Sequence, residues 1–221
     1  GYMFFVMLVL VLSTAPGRPQ FLVLSDGQFH KGEVVQPAEG QWMGVFQNEY
    51  RCELHRVELN FLPYHDVVLD SPEDTTGTEV SLAGDTSGTL FFLWSLDSVF
   101  QEGPLPTAAV NTGNILPDTT FQLSAEGVEP CAVEATDEGL FVRSGGITQR
   151  VSDVYPQSAQ WEERSVSILW AGDLDGDGRM DLLLDEHFHY NVYIGYLLYL
   201  SSAADPGQLL EEAAAFIATG C

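Results

Sequence analysis

Positive charge is what this chain has least of. Eight lysine and arginine side chains, only one of them a lysine (Lys31), stand against 32 aspartates and glutamates, for a formal net charge of −24. Such a surface repels phosphate backbones and anionic headgroups, so the expectation is no nucleic-acid partner and no adsorption to an acidic membrane. It suits solubility in a salty or calcium-rich medium and, less directly, a docking face for a basic partner. Signature loops are missing too. There is no phosphate-cradling Gly-x-x-x-x-Gly-Lys sequence, no dinucleotide-binding glycine pattern and no Gly-x-Ser-x-Gly nucleophile elbow. Tyr64-His65-Asp66 could suggest acid–base chemistry, yet neighbours on a strand point to opposite faces. No enzyme signature emerges.

Cysteine is scarce. Cys52, Cys131 and Cys221 allow one disulfide, in any of three pairings, in an oxidising compartment, or else three buried small apolar residues. Long hydrophobic runs are scarce as well. Met3–Leu12 (MFFVMLVLVL) is unbroken, but a membrane-spanning helix needs about 20 residues. Followed by Ser13-Thr14-Ala15-Pro16-Gly17, it fits the apolar core of a secretory signal peptide with small residues placed for cleavage, although the positive leader segment is absent. A buried first strand or helix would read the same. The expectation is a signal peptide over 1–15, secretion or residence in a periplasm or cell envelope, and no stable membrane insertion after cleavage.

What is present is a globular composition, 45% apolar and 18% charged over 221 residues, organised as short apolar stretches between Gly, Pro, Asp and Ser. Strands are predicted at 21–24, 42–46, 53–62, 89–96, 120–125, 131–136, 139–145, 165–172, 180–185 and 193–202, rich in β-branched and aromatic residues. Turn signals such as SDG, TDEG and SGG recur between them. One helical stretch is expected at Leu209–Ala215 after Asp205-Pro206-Gly207, with a turn back into strand at Ala215–Thr219 as the alternative, and Tyr190, Tyr193, Tyr196 and Tyr199 recur at a spacing closer to helix than strand. The fold class is all-β with little helix: an antiparallel β-sandwich or partly open barrel. The expected organisation is a single domain over 16–221, with two β halves split near 105–120 as the alternative, since 101–119 reads as a long loop.

The densest chemistry is AGDLDGDGRMDLLLD, residues 171–185. Counting Asp173 as one, aspartates fall at one, three, five and nine, with Arg179 at seven. Calcium takes six to eight hard oxygen ligands, and a loop alternating carboxylates can wrap around it, with the carbonyl of the seventh residue adding another. Gly176 and Gly178 free the backbone at the sharp turn. Without an ion, carboxylates this close repel and some must protonate. An EF-hand would place glutamate at position twelve between helices; here Leu184 stands there and the flanks read as strands. His187 and His189, two apart, could share a strand face as zinc or copper ligands, though no third ligand is evident.

Strand, D-x-D-x-D-G-x-x-D, strand resembles the FG-GAP or VCBS-type calcium-binding repeat of integrin α-chains and secreted bacterial proteins. The resemblance covers 166–185 in a single copy, too few for a propeller. It implies side-chain ligands from Asp173, Asp175, Asp177 and Asp181, with Asp181 bidentate, and the carbonyl of Arg179. The expected function is an exported, acidic calcium-binding β-protein whose structural Ca²⁺ supports a binding or adhesion-like module with a protein or glycan partner. The alternatives are an extracellular hydrolase with a purely structural calcium, or a cell-envelope accessory protein paired through Cys221.

Overall fold

Leu182-Leu183-Leu184 and Tyr196-Leu197-Leu198-Tyr199-Leu200 leave no polar residue to face water. Side chains alternate across a strand, so runs of this kind suit strands buried on both faces. The protein, described from a computed structural model, is built around such strands. Residues 21–49, 51–84, 87–152, 164–188 and 193–219 are described; Met3–Leu12, His189, Tyr190 and Cys221 lie outside them.

Among the described residues the chain forms seventeen strands and no helix. The first eight are β1 (Phe21–Leu24), β2 (Gly27–Phe29), β3 (Gln41–Gln47), β4 (Cys52–Arg56), β5 (Leu59–Tyr64), β6 (Gly77–Leu82), β7 (Thr89–Ser95) and β8 (Gly103–Leu105). Then come β9 (Thr107–Val110), β10 (Thr120–Leu123), β11 (Cys131–Thr136), β12 (Gly139–Ser144) and β13 (Ile147–Ser152). The last four are β14 (Arg164–Gly172), β15 (Asp181–Phe188), β16 (Tyr193–Leu200) and β17 (Glu211–Ala218). They make four antiparallel sheets, ordered β1-β7-β3-β4-β8, β2-β6-β5, β10-β11-β12-β13 and β17-β16-β15-β14-β9. The all-β expectation holds.

The last of these sheets is central. One face carries Trp170, Leu183, Leu198 and Leu200 into a core shared with Val45, Leu54, Phe91 and Leu93 of the first sheet. The other carries Ile168, Leu182, Leu184 and Tyr199 into a core shared with Val133, Ala135, Leu140 and Val142 of the β10–β13 sheet. Polar bonds tie the second interface. Tyr199 donates its hydroxyl to the Val151 carbonyl at 2.8 Å, and Gln149 accepts the N–H groups of Leu209 and Leu210. Cys52 lies in the first core and Cys131 in the second; neither is in a disulfide, so the Cys52–Cys131 pairing does not form. Burial pushes both thiols up, that of Cys131 to about 11 with help from the Glu129 charge.

Several local expectations are corrected. Leu209–Ala215 is not helical: from Glu211 the chain runs as β17 along β16, the ladder overriding the helix preference of Glu and Ala. The tyrosine spacing is likewise no helix. Tyr196 and Tyr199, three apart on β16, face opposite cores. The predicted strand 53–62 is two strands in different sheets, broken at Val57-Glu58, where Val57 N–H bonds the Trp42 carbonyl and Ala83 N–H the Glu58 carbonyl. The 101–119 loop contains β8 and β9, which pair with β4 and β14 respectively.

Candidate metal centre

The acidic loop joins β14 to β15, whose closing pair is Gly172 with Asp181. Apolar side chains pin it from both sides: Leu174 is buried in the first core and Met180 in the second. Its ends are held by backbone. Asp173 N–H donates to the Pro106 carbonyl at 2.9 Å, and the Gly178 carbonyl accepts from Glu129 N–H at 2.8 Å. Gly176 and Gly178 sit at φ of 80° and 79°, left-handed conformations that a side chain would strain.

Within this frame the carboxylates turn inward. Asp173, which is buried, accepts the N–H groups of Gly176 (2.8 Å) and Asp177 (3.1 Å) on Oδ1 and that of Gly178 (2.9 Å) on Oδ2. Asp177 accepts the Arg179 N–H at 2.8 Å, while the Arg179 guanidinium reaches back to its Oδ2 at 2.7 Å and on to the Ser201 carbonyl at 2.9 Å. Asp175 Oδ2 accepts the Ser202 hydroxyl; its Oδ1 is sealed from solvent without a hydrogen-bond donor. One oxygen from each of Asp173, Asp175 and Asp177 lies within 4.8 Å of the other two. Oxygens on opposite sides of a calcium ion lie about 5 Å apart, twice the usual ligand distance, so the trio can share one ion.

Asp181 stands apart from that trio. Fully buried, Asp181 accepts Leu174 N–H on Oδ2 and Ser201 N–H on Oδ1, each at 2.8 Å. Burial, then the charge of Asp175, pushes its carboxyl well above the usual range despite these donors. Burial also pushes the Asp175 carboxyl up, opposed by the Ser202 hydrogen bond and reinforced by the Asp177 and Asp173 charges. Ionising Asp175 and Asp181 together is therefore unfavourable unless positive charge is added.

Ser201 and Ser202 were not anticipated from sequence. They follow β16, which pairs with β15 through Leu182 and Tyr199, so the register carries both hydroxyls to the loop. A serine pair ending an apolar strand gives no signal by itself. His187 points elsewhere: its Nε2 lies 3.0 Å from the Asp185 carboxylate. His65 and Asp66 do diverge, His65 to the Asp74 carbonyl and Asp66 to His30. Among the described residues, Asp173, Asp175 and Asp177 are the one trio of potential metal-binding side chains. No protein-family profile, curated protein or solved structure matches the chain.

Proposed function

We propose that the Asp173–Asp181 loop binds one Ca²⁺, which clamps the β14–β15 hairpin of an exported, acidic binding module. The observation that carries the reading is the convergence of three carboxylates within 4.8 Å, one of whose oxygens, Asp175 Oδ1, is buried without a donor. The donor set is entirely hard oxygen, which favours calcium over zinc or copper; magnesium keeps its waters and avoids all-protein cages. Asp173, Asp175 and Asp177 hold the ion through side chains, with Asp181 and the Arg179 carbonyl completing the set that the FG-GAP resemblance implies. The ion supplies positive charge where burial has raised two carboxyls. Leu174 and Met180, anchored in opposite cores, make the hairpin a connection between layers, so the role is structural. Export is supported by the signal-like Met3–Leu12 run and by the millimolar calcium that extracellular modules use.

A thermal melt in EDTA, in excess Ca²⁺ and in Mg²⁺ tests this. Calcium at a hundredfold over its dissociation constant stabilises by about 2.7 kcal/mol, a rise of roughly 5–10 °C for a chain of this size. Terbium provides a second readout: Trp170, three residues before Asp173, should sensitise its emission. Absence of both a calcium-specific rise and sensitised terbium emission would overturn the reading.

A further inference from the structure

Residues 65–76 link β5 to β6 and raise an apolar tip. Val67, Val68 and Leu69 are 74%, 57% and 59% exposed, whereas the other exposed large apolar side chains among the described residues are isolated in sequence. The tip is held from within. Asp66, buried at the base, accepts the N–H groups of Val68 (3.0 Å) and Leu69 (3.2 Å) on Oδ1 and meets His30 through Oδ2. Asp70 returns the favour, its Oδ2 accepting the N–H groups of Asp66 (2.9 Å) and Thr76 (2.8 Å) and its Oδ1 the Thr76 hydroxyl. Asp70 N–H closes the turn on the Asp66 carbonyl at 2.8 Å.

Two carboxylates thus lock a backbone whose apolar side chains are displayed and not folded back. The conformational entropy that a flexible loop loses on binding is lost here on folding, which favours association. Glu73 and Asp74 of the link are exposed beside the tip, and the chain as a whole carries a net charge of −24, with no lysine or arginine between Arg56 and Arg143. Like charge disfavours a second copy of this chain or an anionic bilayer as the occupant. The geometry points to a protein partner, with the Val67–Leu69 tip entering an apolar pocket edged by lysine or arginine. This rests on the binding-module part of the proposed function and is independent of the calcium site.

The test titrates the full chain with a short amphipathic peptide of leucine and lysine, followed by calorimetry. A leucine–glutamate peptide and neutral phosphatidylcholine vesicles are the other arms. The leucine–lysine peptide should bind alone, more weakly as salt is raised. Val67→Glu adds negative charge while removing an apolar side chain that is three-quarters exposed, and should weaken that binding by about tenfold or more. Unchanged or tighter binding by the variant overturns the tip, since charge alone would then be acting. Equal binding of the leucine–glutamate peptide overturns the basic rim, and vesicle binding lost in the variant replaces the protein partner with a lipid surface. If the parent chain binds no leucine–lysine peptide, the tip as a docking site is overturned, while the calcium-clamped module stands or falls separately by the EDTA and calcium melts.

Discussion

The guanidinium of Arg179 closes on the carboxylate of Asp177, with Nη2 2.7 Å and Nε 3.0 Å from Oδ2. The loop therefore carries its own cation, on the same side chain that calcium would need.

That pairing predicts competition. Arg179→Met keeps the backbone carbonyl but removes the guanidinium from Asp177, which retains the Ser201 hydroxyl, and calcium affinity measured by calorimetry should rise. The pair is nearly half exposed on the arginine side, so the gain is that of a solvent-screened ion pair, about two- to fivefold. An unchanged affinity would mean that Asp177 does not contribute to the ion.

Asp175→Asn removes a charge that burial and two neighbouring carboxylates already disfavour. In EDTA the variant should melt at or slightly above the parent. In excess calcium it should lose most of the rise of roughly 5–10 °C expected from ligand linkage. Full retention of that rise would place the ligands elsewhere.

The raised carboxyls also predict a pH dependence. Asp175 and Asp181 bind protons in the metal-free fold that the unfolded chain, titrating near the ordinary value of about 3.9, releases. Where the native state holds more protons, stability falls as pH rises. The melting temperature in EDTA should therefore increase as pH is lowered from 7 toward about 5. Saturating calcium should flatten or reverse that slope, because the ion and the protons compete for the same oxygens. Asp66 and Asp70 act oppositely at lower pH. Burial works to raise both, but the bonds from His30 and the Val68 and Leu69 N–H groups, and from Thr76, hold them down. Their contribution is lost as pH falls below the ordinary carboxylate range. A calcium-free melting curve independent of pH between 5 and 7 would contradict the raised pair.

Gly172 has no room for a side chain. An added Cβ would sit 2.1 Å from the Pro106 carbonyl oxygen and 2.6 Å from Trp170 Cζ2. The first obstacle is backbone and the second a fully buried indole. Gly172→Ala should cost about 1–3 kcal/mol, the usual range for forced overpacking, read from denaturant midpoints in EDTA. A neutral substitution would show that β9 and β14 separate easily.

How legible each element was depended on what its side chains meet. Leu182–Leu184 and Leu197–Leu200 read as strands because burial on both faces makes a strand continuously apolar. The aspartate spacing and its flanking strands were legible because loop and ladder are local. Val57-Glu58 gave no turn signal, since the break there comes from bonds to Trp42 and Ala83, distant in sequence. Leu209–Ala215 reads as helix until β16 is beside it. Ser201 and Ser202 reach the loop only through the β15–β16 register. The locked tip at Val67–Leu69 was invisible because the partners of Asp66 are His30, distant in sequence, and two amides, which no residue pattern announces.

The order of the sheets along the chain has a consequence for synthesis. β1–β8 and β10–β13, the two covering layers, leave the ribosome before β14–β17, four of the five strands of the sheet whose faces they cover. Until the last hairpin emerges, each cover presents an apolar surface with nothing to meet. A nascent chain of this design is exposed to aggregation late, and a chaperone that shields it would need to stay until translation has passed β17.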